Sequence, residues 1–169
     1  MLTLLLFQAI LTCSCYCPAP FQQIGADENC CYYFSTMGLQ VTWPEAREYC
    51  HGLGEVIMSD TVDMAEVDTS NSCNSDDLMD TMKSKYLGTP FWLGGRDDIT
   101  EGTWEWQHST GETLSLNSSR WGNAYPIGSP DRNCLHAVGY YEDDTAYLYD
   151  DYCEDFNWFI CQIFNSTVV

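Results

Sequence analysis

Cysteine sets the terms for this chain. Ten cysteines fall within 169 residues, and disulfides persist only where the surroundings are oxidising. The opening fifteen residues, MLTLLLFQAILTCSC, carry no charged side chain, contain an apolar run and end in small residues, the pattern of a secretory leader spanning residues 1–15. That run is too short and too early for a transmembrane anchor, and no later stretch approaches a membrane span. The expectation is a secreted, extracellular protein without membrane insertion. Removing Cys13 and Cys15 leaves eight cysteines, Cys17, Cys30, Cys31, Cys50, Cys73, Cys134, Cys153 and Cys161, an even set that can pair completely.

Eight paired cysteines suit one compact domain, which a chain of this length can build around a single core. Charge narrows the partners. The chain has 25 acidic against 6 basic side chains, a formal net charge of −19. Nucleic acid is excluded, because its phosphates require basic patches. Most of these carboxylates read as a solubilising surface.

Helical and strand periods divide the chain into an α+β domain. TWPEAREYCHGLG reads as a helix capped by Thr42, with Glu45 three residues on, Pro44 in the first turn, and glycines at its end. Trp43, Ala46, Cys50 and Leu53 share its apolar face. EVIMS then reads as a short strand, and SDTVDMAEVDTSNSCNS as a polar insertion. Leu78, Met79, Met82 and Tyr86 mark a second helix, SDDLMDTMKSKY, acidic in its first turn and basic in its last. Beyond it FWLGG, TWEW, CLHAVGYY, AYLYD and WFICQ read as strands, with Trp104, Trp106, Trp121 and Trp158 assigned to the core.

In order and spacing, CPAPFQQIG, CYYF, TWPEAREYC, FWLGG, EGTWEW, RWGNAYPIGSPDRNC, YDDYC and WFICQ resemble the C-type lectin-like domain, in particular secreted single-domain invertebrate (crustacean-like) members. The resemblance covers residues 17–163 and leaves 164–169 as a short tail. It implies a double-looped fold of two helices and antiparallel sheets, with one disulfide from Cys50 to Cys161 and another from Cys134 to Cys153. Cys17 is then expected to pair with Cys30 or Cys31, and the remaining member of that adjacent pair with Cys73.

Sugar-binding members of that family hold calcium on a triplet flanking a cis proline, on an acidic residue before the loop cysteine, and on a Trp-Asn-Asp triplet. Calcium takes six to eight oxygen ligands, several of them charged. The resemblance places Ser129, Pro130 and Asp131 on the first triplet and Leu148, Tyr149 and Asp150 on the last. Ser129, Asp131 and Asp150 are therefore the expected metal ligands, and the same three with Tyr149 the expected carbohydrate contacts. Two departures weaken the calcium site: Arg132 stands where the acidic ligand would be, and Tyr149 replaces the asparagine. Glu142, Asp143 and Asp144 supply further carboxylates nearby. Tyr125, Tyr140, Tyr141, Tyr147, Tyr149 and Tyr152 offer a route to sugar without metal, since tyrosine stacks on apolar sugar faces and its hydroxyl bonds to theirs.

Asn117 and Asn165 each open a glycosylation sequon. His51, His108 and His136 show no zinc spacing, and no carboxylate pair stands out from the acidic background as a hydrolase would need, so no catalysis is expected. The resemblance implies instead a secreted, calcium-assisted lectin that recognises microbial or galactose-like glycans in innate immunity, with self-association raising avidity. The competing expectation is a lectin-like domain that has lost calcium-dependent sugar binding and recognises a protein.

Overall fold

The computed structural model describes residues 17–164 except 36, 37, 60, 71, 143 and 144. The leader, Asp143, Asp144 and the Asn165 sequon lie outside the described residues. Helix α1 spans Trp43–Ile57 and α2 spans Ser75–Lys85. The strands are β1 (Gln22–Gln23), β2 (Cys31–Phe34), β3 (Val62–Met64), β4 (Phe91–Arg96), β5 (Trp104–Trp106), β6 (Thr113–Leu114), β7 (Cys134–Gly139), β8 (Ala146–Asp151) and β9 (Trp158–Ile163). They join in the order β1-β2-β9-β4-β5-β6, with β3 on β9, and with β7 between β4 and β8. The sheet is mixed: β4 runs parallel to β9 through Phe91↔Trp158 and Trp92↔Phe159, while the other strand pairings are antiparallel. Apart from that parallel pair, the strands form the expected antiparallel sheets.

Helix α1 begins as its sequence predicts, with the Glu45 carboxylate accepting from both the Thr42 amide (3.0 Å) and the Thr42 hydroxyl (2.7 Å). It does not stop at the glycines. The helix runs through Gly52 and Gly54 and closes on Met58, whose left-handed backbone (φ 56°) and amide bond to the Glu55 carbonyl form the cap. EVIMS is therefore the helix's last turn rather than a strand. Gly54 stays helical because its missing side chain leaves room for β3: a Cβ there would lie 3.2 Å from Val62 Cβ and 2.6 Å from the Ser59 carbonyl. The segment read as a polar insertion is largely interior. It contains β3, and Val62 through Val67 are all buried.

Two core clusters fill the domain. Trp43, Ala46 and Cys50 of α1 meet Met64, Trp92 and Phe159 in one. In the other, Leu78, Met79 and Met82 of α2 meet Phe34, Leu93, Trp104, Trp106, Trp121, Leu135 and Leu148. Trp158 is half-buried against the second. Phe164, expected in the tail, is buried and stacks on His108 at 3.8 Å between ring centroids. Where α2 crosses β7, Gly139 admits no side chain, since a Cβ would stand 2.7 Å from Lys83 Cα. Gly139→Ala is expected to cost about 1–3 kcal/mol by overpacking, measured by urea denaturation with unchanged m-value.

Four disulfides close the fold. Cys50–Cys161 ties α1 to β9, and Cys134–Cys153 ties β7 to the segment after β8. The open choice near the N-terminus resolves as Cys17–Cys31 and Cys30–Cys73. Cys31 sits on β2, opposite Gln23 of β1, whereas Cys30 packs into the α2 cluster beside Cys73.

Candidate functional site: the loop before Cys134

Between β6 and β7 the chain makes a long excursion, residues 115–133, that is stitched down at several points. Trp121 packs edge-on against Trp104 (5.3 Å) and donates its indole hydrogen to the Ser115 carbonyl (3.0 Å). The Leu148 amide donates to Arg120 O and the Gly122 amide to Leu148 O, at 2.7 and 3.0 Å. Arg120 also pairs with Asp68 (3.0 Å) and Asp76 (2.8 Å), anchoring the excursion to the start of α2. Asn117, the described sequon, is exposed on this loop.

The predicted site residues separate once folded. Asp150 is fully buried, and its Oδ1 accepts the Ile127 amide at 2.9 Å. Asp131 is exposed and lines a shallow groove with Pro44, Arg96, Tyr152 and Glu154. Ser129 is half-buried, its carbonyl accepting the Arg132 amide at 2.8 Å in a tight turn. The Arg132 side chain turns to the end of β8. Its Nη1 donates to the Asp150 carbonyl (3.1 Å) and stands 3.7 Å from Asp151 Oδ1, while its guanidinium covers the Tyr152 ring at 4.7 Å. The cis peptide bond in this loop is Tyr125–Pro126, and Pro130 is trans; the cis proline expected at Pro130 is therefore four residues earlier.

Aromatic groups gather on the same side. Tyr149 meets Tyr125 edge-on at 4.7 Å and Tyr140 edge-on at 6.2 Å, and stacks on His136 at 5.5 Å. Its ring lies on Gly122, where a Cβ would collide with it. Tyr125 is half-exposed, Tyr140 is 45% exposed and Ile127 52%, so the surface beside the turn is apolar and aromatic. His136 is held neutral: burial pushes its imidazole down to about 4, against the opposing pull of Asp150.

A neighbouring carboxylate escaped the sequence reading. Asp97, just after β4, is buried and accepts the Gly102 amide at 3.0 Å, leaving Oδ1 without a partner. Burial chiefly, and the charges of Glu101, Asp150 and Asp98, push its carboxyl up to about 6, opposed by the Gly102 bond. The available signal was its place just after the strand FWLGGR, a position that reads equally well as an ordinary turn.

A family model for the lectin C-type domain matches residues 39–163. The chain belongs to that family. A perlucin-like protein of Mytilus galloprovincialis is 28% identical over 133 residues, covering 77% of this chain and 75% of the mussel protein. Among solved structures, the carbohydrate-recognition domain of the mouse scavenger receptor C-type lectin superposes with a TM-score of 0.63 at 20% identity, covering 90% of this chain and all of that one. A calcium-independent type II antifreeze protein superposes with a TM-score of 0.62 at 18% identity, covering 86% of this chain and 92% of the other. At these identities the two solved structures show the fold alone.

For this C-type lectin domain the expected calcium ligands do not form a matching donor set. Asp150 Oδ2 is buried without a hydrogen-bond partner, as an ion-facing oxygen would be. Asp97 Oδ1 is likewise buried without a partner, and Asp97 and Asp150 feel each other's charge; calcium takes six to eight oxygens, several of them charged. Asp131 faces a different groove, Ile127 contributes no polar side chain, and Arg132 has only donors to offer. Among the described residues no three carboxylate, imidazole or thiolate side chains are grouped to hold a metal ion. Nor is any described helix long and apolar enough to cross a membrane.

Proposed function

We propose that this C-type lectin domain is a secreted glycan-binding protein of innate recognition. It takes microbial or galactose-like sugars on the face formed by Tyr125, Tyr140, Tyr149 and the exposed turn at 127–131, without calcium at that turn. The aromatic cluster carries the reading: two tyrosines presented edge-on around a third, next to an exposed loop, give an apolar surface on which a sugar ring can stack. Ser129 supplies a hydroxyl on the adjoining turn and the buried Asp150 holds the loop in place through Ile127, while Asp131 opens onto the neighbouring groove. The scavenger-receptor neighbour, a carbohydrate-recognition domain, lends support.

Glycan-array binding with and without chelator tests this. Binding is expected in both conditions. Tyr140→Ala is expected to weaken it about two- to tenfold, from the loss of roughly 0.5–1.5 kcal/mol of aromatic interaction. Chelator-sensitive binding would reject the metal-free route. Absence of glycan binding by folded protein would favour a protein ligand, a reading to which the exposed Ile127 also lends itself.

A further inference from the structure

Arg132 stands where the family's acidic ligand is expected, and its side chain has contacts of its own. We infer that Arg132 is the resident cation of this loop, a tethered guanidinium that neutralises the carboxylate-rich end of β8 and ties the 125–133 turn to it. The acidic groups to be neutralised are Asp150, Asp151 and Asp155. Asp155 has its carboxyl pushed up by partial burial and then by Asp151, and the Arg132 charge works in the opposite direction.

The contacts are of three kinds. A charge-assisted hydrogen bond runs from Arg132 Nη1 to the Asp150 carbonyl (3.1 Å), an ion pair reaches Asp151 Oδ1 (3.7 Å), and the guanidinium plane lies over Tyr152 (4.7 Å). A planar guanidinium can satisfy all three at once, which an ammonium cannot. The same end of β8 is gripped from the other side by the Ile127 amide on Asp150 Oδ1 (2.9 Å). The turn thus reaches β8 through two protein-supplied links, and the Cys134–Cys153 disulfide closes the pair of segments just beyond them. Only six basic side chains exist in the whole chain, so one placed among three carboxylates changes the local charge substantially. A divalent ion entering here would meet that fixed positive charge and would have to displace its hydrogen bond. This role is independent of whether a glycan binds nearby.

Calorimetric titration of the full chain with calcium chloride, together with thermal melts in calcium and in EDTA, provides the test. Wild-type protein is expected to release no binding heat and to melt at the same temperature in both. Arg132→Gln is expected to melt several degrees lower, and Arg132→Lys in between, since it keeps the charge but loses the fork. A melting temperature that rises with calcium in the wild type, which is what a ligand of the native state produces, would overturn the inference. So would an Arg132→Gln variant that melts with the wild type. If Arg132→Gln does not fold, the wild-type titration and the Arg132→Lys melt decide the matter. None of these outcomes depends on glycan binding, so the failure of either reading is recognisable separately.

Discussion

Replacing Cys50 and Cys161 together with alanine is expected to lower stability by about 4–5 kcal/mol, the cost of freeing a loop with a sequence separation of 111 in the chain-entropy account. For a domain of this size that is a fall in melting temperature of roughly 10–20 °C. Both cysteines are fully buried between α1 and β9, so the alanines add a small packing loss to the entropic one. The corresponding change at Cys134 and Cys153 opens a separation of only 19 and is expected to cost about 3 kcal/mol. Non-reducing thermal melts of the two double variants give the comparison directly. A larger loss at Cys134 and Cys153 would contradict the loop-length argument.

Arg47→Ala is the second large effect. Asp63, on β3, is 4% exposed. Arg47 of α1 meets it with Nη2 at 2.9 Å from Oδ2 and Nε at 3.1 Å from Oδ1, and Arg47 also donates to the Gln107 carbonyl at 3.2 Å. His51 Nε2 lies 3.3 Å from the same carboxylate. Burial drives the Asp63 carboxyl up, but the bonds and charge of Arg47, the Met64 amide and the bond from His51 together bring it below the usual carboxylate range. Removing the arginine leaves that burial largely uncompensated. Breaking a buried pair costs about 3–5 kcal/mol, and the partial exposure of Arg47 reduces the expectation to about 2–3 kcal/mol.

The pH dependence separates this from a simple packing loss. A carboxyl whose folded value lies below its unfolded value contributes stability above the unfolded value, and that contribution disappears as pH falls through the folded value. Wild-type protein therefore loses the Asp63 contribution only below about pH 4. In Arg47→Ala the folded value rises instead, so acidification toward pH 4 is expected to narrow the gap between variant and wild type. Chemical denaturation at pH 7 and pH 4 measures it. A gap that stays constant would show that the Asp63 charge is not the cause.

The same residues show what was legible beforehand. The start of α1 is written locally, in Thr42, Pro44 and Glu45, and the face of α2 in Leu78, Met79 and Met82, because caps and periodicity act over three or four residues. The end of α1 was misread. Gly52 and Gly54 are ordinary stop signals, and only the close approach of Val62 shows why a glycine is retained inside the helix at Gly54. Residues 62–67 sit inside a segment whose overall composition is polar, yet all six are buried, Asp63 and Glu66 included. Their partners, Arg47 for Asp63 and the His108 and Ser109 amides for Glu66, come from distant parts of the chain.

The candidate site divides along the same line. The motif order carried the family, the bridges Cys50–Cys161 and Cys134–Cys153, and the place of the loop. It also flagged Arg132 as out of character, without showing where its side chain goes.

By itself, then, the sequence determined the fold family, the two helices and the strands of the second half of the chain, since each of these is encoded in short-range pattern or in the order of motifs. The tertiary structure decided which of Cys30 and Cys31 meets Cys17, that Asp150 is buried while Asp131 is exposed, and that the Arg132 guanidinium turns to the end of β8. The reason is physical: hydrogen bonds, ion pairs and burial depend on where residues far apart in sequence come to rest, as when Arg132 reaches the Asp150 carbonyl and the Asp151 carboxylate.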